Sequence, residues 1–182
     1  MMRTQVRCAA LALAVALGWS LPALAGNDYD KGNGAFTTDG YPPVMCDSDS
    51  FVSGIKCARA WCKNVGLVCR RPVGAFWGGK LDFRPYFNHR RGRDECPEGY
   101  AVAGLSCDER RCQRMSLLCA PIIGRQPVDC ETVGPVSDDT GEYVVGDGRI
   151  VTGLTCEGEF CAEISLVACR LEDGPVTRAD EP

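Results

Sequence analysis

The sequence has little of what most enzymes use for catalysis. Its only histidine is His89, and it contains no G-x-S-x-G motif, no H-E-x-x-H motif and no glycine-rich phosphate loop. A Ser-His-Asp mechanism would have to use His89, which lies between Asn88 and Arg90 in a basic stretch. We therefore predict a protein that is not an enzyme.

Long apolar runs are scarce as well. The one run of note extends from Cys8 to Trp19, follows a basic start and precedes the small-x-small sequence Ala23-Leu24-Ala25. This pattern is typical of a secretory signal peptide and predicts its cleavage after residue 25. Because about 20 apolar residues are needed to cross a bilayer, we expect a secreted or periplasmic protein without a membrane span.

The sequence also lacks the C-x-x-C pairs typical of zinc sites and thioredoxin-type redox motifs. Removing Cys8 with the leader leaves 12 of the 13 cysteines, an even number in an exported chain. This predicts six disulfides and no cofactor. Loss of Arg3 and Arg7 leaves 18 of the 20 Lys and Arg against 24 Asp and Glu. Such an acidic balance argues against nucleic acid as a partner.

What the sequence does contain is an internal repeat. The stretch Cys96–Cys119 recurs 50 positions earlier as Cys46–Cys69, with all four cysteines in register. It recurs 49 positions later from Ile150, where one inserted residue displaces Cys169. The third copy also contains a long internal insertion. The predicted repeats are 46–69, 96–119 and 130–169.

Each repeat has short β-branched and aliphatic runs on both sides of a C-x4-C pair, which predicts a strand, a tight loop and a second strand. If the two cysteines face each other across the hairpin, Val52 lies opposite Leu67 and Gly54 opposite Val65, all on one face. The same register puts Ile55 on the other face. In the other two copies, the residues equivalent to the same-face set of Val52, Gly54, Val65 and Leu67 are Val102, Gly104, Met115, Leu117, Val151, Gly153, Ile164 and Leu166.

The repeated glycine and the inserted residue predict local features of the strands. A glycine at this place indicates a close approach by a neighbouring side chain or backbone, with a bulge or a positive φ as the alternative. The residue inserted in the third copy, Ala168 or its neighbour, predicts a β-bulge near the end of that strand.

The cysteine spacing suggests how the disulfides pair. If C-x4-C closes each hairpin, the first cysteine of a repeat is left to meet the fourth, although four cysteines allow three pairings. By elimination, Cys130 pairs with Cys169. The predicted bridges are Cys57–Cys62, Cys107–Cys112, Cys156–Cys161, Cys46–Cys69, Cys96–Cys119 and Cys130–Cys169.

Three hairpins predict one shared core, because a lone hairpin is only marginally stable in water. We expect a single all-β, pseudo-threefold, disulfide-rich domain at 46–170. Residues 26–45 are rich in Gly, Asn, Asp and Pro, which predicts a flexible N-terminal arm. Residues 171–182 are polar, which predicts a disordered tail.

The string CPEGYAVAGLSC followed by SLLC resembles the repeats of vitelline-membrane-outer-layer-type proteins. The resemblance covers the hairpin cores at Cys46–Cys69, Cys96–Cys119 and Ile150–Cys169, and C-x4-C is not part of that family's pattern. It implies a three-sheet β-prism and a non-enzymatic extracellular role, and it transfers no site residue. A β-trefoil is the alternative architecture.

The segment between the first two hairpins interleaves aromatic and basic residues, and it breaks the internal symmetry. Function concentrates in such loops. The rings could stack on sugars, while the arginines could hold an acidic glycan, a lipid phosphate or the carboxylates of a protein partner. Alternatively, Trp77 fills the core and the arginines are merely solvated. The predicted ligand-binding residues are Trp77, Tyr86, Phe87, Arg90, Arg91 and Arg93.

These features support three function hypotheses. The first is a binding protein for a glycan or cell-surface polymer. The second is an inhibitor of an extracellular hydrolase that presents the clamped loop Ala58–Trp61, where Trp61, like Phe160 in the third copy, is expected at an exposed tip. The third is a carboxylate-dependent hydrolase that would use loop acids: Asp108, Glu109, Glu157, Glu159, Asp138, Asp139 and Glu142.

Calcium is a minor alternative for the acidic insertion of the third copy. Asp138, Asp139, Glu142 and Asp147 offer the oxygen ligands that hard cations prefer. Their spacing does not match an EF-hand loop, so no metal site is predicted.

Overall fold

The computed structural model describes residues 30–31, 36–37, 42–109 and 112–174. The predicted leader, at 1–25, and the tail from 175 onward lie outside the described residues. Nothing in the described part of the chain forms a helix long and apolar enough to cross a membrane. The strands are β1 Asp30–Lys31, β2 Phe36–Thr37, β3 Val44–Met45, β4 Phe51–Ala58, β5 Asn64–Arg70, β6 Phe76–Trp77, β7 Asp82–Phe83, β8 Phe87–Asn88, β9 Arg93–Glu95, β10 Tyr100–Asp108, β11 Arg114–Ile123, β12 Arg125–Val136, β13 Glu142–Val144, β14 Arg149–Glu157 and β15 Glu163–Asp173.

Three sheets make up the fold, and each is built around one repeat hairpin: β4 with β5, β10 with β11, and β14 with β15. The described pairings are antiparallel except that of β1 with β3. The prediction of an all-β, cysteine-rich protein is confirmed, because alternating apolar runs on both sides of C-x4-C form hairpins in all three copies.

All six predicted disulfides are present. The equivalent bridges of the first two copies, Cys46–Cys69 and Cys96–Cys119, have the same Cα–Cα distance of 5.6 Å. Each bridge is expected to stabilise the fold by roughly 2–4 kcal/mol, largely by restricting the unfolded chain. Six disulfides are typical of proteins in an oxidising compartment.

The register within the hairpins differs from the prediction. Leu67 pairs with Ile55 rather than with Val52, which pairs with Cys69. The cause is the loop: the second cysteine of C-x4-C lies in a 3-10 turn at Ala60–Cys62 and not in the second strand. The disulfide therefore closes the loop at the strand end instead of joining two facing strand residues.

A bulge in the first strand of every hairpin changes which residues enter the core. In β4 the register shifts between Val52 and Gly54, and the same shift occurs in β10 and β14. One extra residue exchanges the two faces of the strand after it. Ile55 is consequently fully buried in the core beside Val52, so its placement on the opposite face was wrong.

The inserted residue of the third copy does not form the predicted bulge. Ala168 pairs directly with Val151, and Cys169 pairs with Ile150 one place further along. Because side chains alternate along a strand, Ala168 faces the core and Cys169 faces away from it. There Cys169 meets Cys130 on the neighbouring strand β12.

Each repeated glycine is a place where another strand passes. A Cβ at Gly54 would overlap the carbonyl oxygen of Tyr143 in β13. One at Gly104 would lie 2.7 Å from the carbonyl oxygen of Val44 in β3, and Gly153 faces β9 in the same way. The short strand that precedes each hairpin thus pairs with the next hairpin: β3 with β10, β9 with β14, and β13 with β4.

One apolar core joins the three hairpins. It includes the predicted same-face residues Val52, Val65, Leu67, Val102, Met115, Leu117, Val151, Ile164 and Leu166, all 1% exposed or less. Full burial of such side chains contributes about 1.5–3 kcal/mol each. The core-facing side of the hairpins was therefore predicted correctly, apart from the residues beyond the bulge.

The boundaries of the arm and the tail also differ from the prediction. Val44 and Met45 form a strand on β10 and are buried, because they complete the sheet of the second repeat. The last strand continues to Asp173, with Leu171 8% exposed. The ordered domain therefore extends past 46–170 at both ends.

Candidate binding site at the hairpin tips

Two of the six predicted ligand-binding residues point inward. The Trp77 indole nitrogen donates a hydrogen bond of 2.7 Å to the carbonyl oxygen of Ser50, and its ring packs 6.3 Å from that of Phe51. Phe87 is 1% exposed and lies in the core, so its assignment as a ligand contact was wrong. Thr37 and Val136 pair with the other two hairpins at the place where Phe87 pairs with the second. Extending the repeat alignment to the residues before each hairpin would have indicated that this position is in the core.

Tyr86 is exposed but already engaged. It is 40% exposed, and the Arg114 guanidinium carbon lies 5.0 Å from its ring centroid. Its hydroxyl is 3.4 Å from the Ser106 hydroxyl. One ring face is therefore covered by a cation–π contact, and Tyr86 stands apart from the inward-facing Trp77.

Of the three arginines, Arg90 and Arg91 lie on an exposed turn, and Arg93 begins β9 directly after it. The Asn88 side-chain oxygen accepts hydrogen bonds from the backbone N–H groups of Arg90 and Arg91, at 3.0 and 3.2 Å. The Arg93 guanidinium pairs with Glu95 at 2.5 Å. This turn presents the side chains of Arg90 and Arg91 to solvent. The six predicted residues consequently do not form one site.

A buried ion pair lies close to this turn. Asp94 is 6% exposed, and its carboxylate lies 3.8 Å from the Arg84 guanidinium. Neither of the two facing atoms has a hydrogen-bond partner among the described residues. Burial raises the pKa of Asp94, an effect that Arg84 and Arg91 partly offset. Desolvation of Asp94 therefore outweighs its attraction to these two arginines.

The C-x4-C loops of the three hairpins meet at one end of the molecule. The Cys62 sulfur lies 3.4 Å from the carbonyl oxygen of Ala162, and the Cys161 sulfur lies 3.6 Å from that of Gln113. Loops that are far apart in sequence are thus packed against one another. We call this surface the tip face and define it by residues 58–63, 108–109, 112–113 and 157–162.

Two aromatic rings stand on the tip face. Trp61 is 43% exposed, and its ring meets that of Phe160 edge to face at 6.4 Å and 88°. The backbone N–H of Trp61 donates to the Asp138 carboxylate at 3.3 Å. The backbones of Trp61 and Phe160 are both in the left-handed region, with φ of 66° and 61°. This conformation is costly for bulky residues and often marks functional sites.

Several of the acidic candidates already contact other groups of the protein. Glu109 binds Arg114, Glu142 binds Lys56 and Asp147 binds Arg70. Asp138 accepts the hydrogen bond from Trp61. Within 42–109 and 112–174, no three His, Cys, Asp or Glu side chains form a group that could hold a metal ion.

Comparison of the chain with protein-family models, curated proteins and solved structures finds no match. Both residues were predicted at exposed tips: Trp61 is exposed, whereas Phe160 is half-buried. Their contact was not predicted, because it depends on how two loops from different repeats pack.

Proposed function

We propose that this protein is a secreted or periplasmic binding protein without catalysis of its own, and that it contacts a protein partner through the tip face. The observation that carries this proposal is the contact of the exposed Trp61 with the half-buried Phe160, on loops that disulfides close. Tryptophan is prominent among the residues that dominate the energy of protein interfaces.

The loops are prepared for binding because little of their backbone remains to be ordered. Cys57–Cys62 and Cys156–Cys161 close the loops that present Trp61 and Phe160. A surface fixed in advance loses less conformational entropy on association. Partner binding by the aromatic pair would therefore gain affinity from the same disulfides that close the hairpins.

The arrangement of the sheets proposed here is a β-prism with threefold pseudo-symmetry. It is supported by the cyclic pairing of β3, β9 and β13 with the following repeat. Convergence of the C-x4-C loops supports it as well, since a threefold arrangement brings equivalent loops together at one end. The tip face would then surround the pseudo-symmetry axis.

The tip face is compatible with inhibition of a hydrolase by covering the enzyme, but not by inserting a loop as a strand. Arg59 and Trp61 have left-handed φ values of 66° each, so the loop does not offer the extended backbone that pairs as an added strand in a substrate cleft. An inhibitor would therefore cover its enzyme with the aromatic surface. The carboxylate-dependent hydrolase has no observation in its favour.

The test is capture of extracellular proteins on the immobilised, oxidised protein, compared with two variants. Trp61→Ala should weaken binding of the captured partner by about 30-fold or more, the effect of losing a dominant interface residue. Phe76→Ala is the matched control, because Phe76 is 49% exposed but belongs to β6 at the opposite ends of the hairpins. Equal capture by wild type and Trp61→Ala would contradict the proposal, as would steady turnover of a polymer.

An acidic glycan is the second candidate ligand, and the Asn88 turn with its exposed Arg90 and Arg91 favours it. Guanidinium groups bind sulfate and carboxylate groups with paired hydrogen bonds. A salt titration of heparin binding by Arg90→Gln with Arg91→Gln tests this candidate. Unchanged affinity and unchanged salt dependence would dismiss it.

A further inference from the structure

The ends of the hairpins opposite the tip face contain a groove of about 350 Å³. Strands of eight residues such as β4 separate the two ends by roughly 25 Å. The groove falls at the lower limit of ligand-site volumes, which begin near 300 Å³. It lies between the turn after the first hairpin and the base of the third.

The floor and one wall of the groove are apolar. Ile150 and Leu171 form the floor and are 2% and 8% exposed. Pro72 and Val73 form a wall, and Val73 is 88% exposed. The hydrophobic effect favours covering these groups with an apolar ligand.

Four guanidinium groups also line the groove, those of Arg70, Arg71, Arg125 and Arg149. Each already pairs with one carboxylate, those of Asp147, Asp49, Asp173 and Glu131 respectively, and of these four only Asp147 lines the groove itself. An anionic ligand would therefore share the arginines with these carboxylates. Arg70, Arg125 and Arg149 contact carboxylates through one nitrogen each. Because a guanidinium carries five N–H donors, these contacts leave donors for a ligand.

The existing ion pairs are weak competitors. The side chain of Asp147 is 100% exposed and that of Asp173, which binds Arg125, is 97% exposed. Exposed pairs of this kind contribute little to stability. Arg149 is better fixed, since it also donates to the carbonyl oxygen of Ala168 at 3.3 Å.

We propose that this groove binds a small anionic amphiphile of the fatty-acid type. Its carboxylate lies against Arg149 and Arg125, and its alkyl chain covers Ile150, Leu171 and Val73. The charge of the arginines accounts for the head group, and the apolar floor and exposed Val73 account for the chain. This site is independent of the partner proposed for the tip face.

Calorimetric titration of the oxidised protein with decanoate tests the proposal, with decanol as the uncharged probe. Arg149→Gln and Arg125→Gln should each weaken decanoate binding about tenfold, the effect of losing one charge-assisted hydrogen bond. Asp147→Asn should strengthen it, because it removes the one carboxylate that lines the groove and repels the ligand's head group. Arg170→Gln is the matched control, because Arg170 pairs with Asp129 and Glu172 outside the groove. This variant should bind decanoate with the affinity of the wild type.

Several results would overturn the proposal. They are the absence of decanoate binding, equal binding of decanol, and wild-type affinity in both Arg149→Gln and Arg125→Gln. Binding to anionic phospholipid vesicles without binding of free decanoate would show adsorption to a lipid surface instead. Trp61→Ala should leave decanoate binding intact, so failure of the tip-face proposal is distinguishable from failure of this one.

Discussion

The ring of Trp61 meets that of Phe160 edge to face, with the centroids 6.4 Å apart, and so joins the loops of the first and third hairpins. Aromatic pairs of this geometry contribute about 0.5–1.5 kcal/mol beyond their buried area. A double-mutant cycle with Trp61→Ala and Phe160→Ala should therefore show a favourable coupling in that range. Urea unfolding with the disulfides intact measures it, and effects that simply add would contradict the contact.

The close approach of β13 to Gly54 predicts a large effect of a single methyl group. Gly54→Ala should destabilise the protein by about 1–3 kcal/mol, because the new Cβ overlaps the carbonyl oxygen of Tyr143. Gly146→Ala is the matched control, since its Cβ would meet nothing within 4 Å, and it should be neutral or slightly stabilising. Urea unfolding of both variants provides the comparison. Equal stability of the two would show that β13 is not held against the hairpin.

The hairpins and disulfides could be predicted because both depend on spacing within one repeat. The alternation of apolar residues and the C-x4-C spacing are local, and the remaining pairing follows from them. The burial of Ile55 could not be predicted in this way, because it depends on a bulge at the place where β13, distant in sequence, crosses Gly54.

The candidate site was harder to predict than the fold for a related reason. Aromatic and basic composition pointed to 76–93, but composition does not show which side of a strand faces the core. Phe87 pairs with Met115 and is buried, while Tyr86 beside it is exposed. The convergence of Trp61 and Phe160 requires the packing of two repeats, which no single repeat encodes.

The raised pKa of Asp94 predicts a distinct pH dependence of stability. The folded protein holds this proton more tightly than the unfolded chain, whose Asp titrates near 3.8. The contribution of Asp94 to stability is therefore greatest below that value and is lost as the pH rises through the higher pKa of the folded state. Asp94→Asn should accordingly stabilise the protein at neutral pH relative to wild type, and the difference should shrink as the medium becomes acidic.

Urea unfolding of wild type and Asp94→Asn between pH 3.5 and 7 measures this effect. A gap between wild type and Asp94→Asn that widens on acidification would contradict the prediction, since it would mean that the fold favours the ionised carboxylate.

The backbone of Arg59 predicts a stabilising substitution at the tip face. Its φ of 66° and ψ of 158° lie in a region that is almost exclusive to glycine, and a strained residue there costs about 1–3 kcal/mol. Gly158 holds the equivalent place in the third copy, with φ of 70° and ψ of 178°. Glycine relieves this strain but also adds conformational entropy to the unfolded chain, which offsets part of the gain. Arg59→Gly should therefore stabilise the protein by a net of about 1 kcal/mol.

The reciprocal change, Gly158→Ala, should destabilise the protein, because it places a Cβ on the same backbone conformation. Thermal and urea unfolding of the two variants with all disulfides intact measures both effects. Because the two sites are equivalent in the repeat, opposite signs are expected. Destabilisation by Arg59→Gly together with a neutral Gly158→Ala would show that the loop conformation differs between the first and third hairpins.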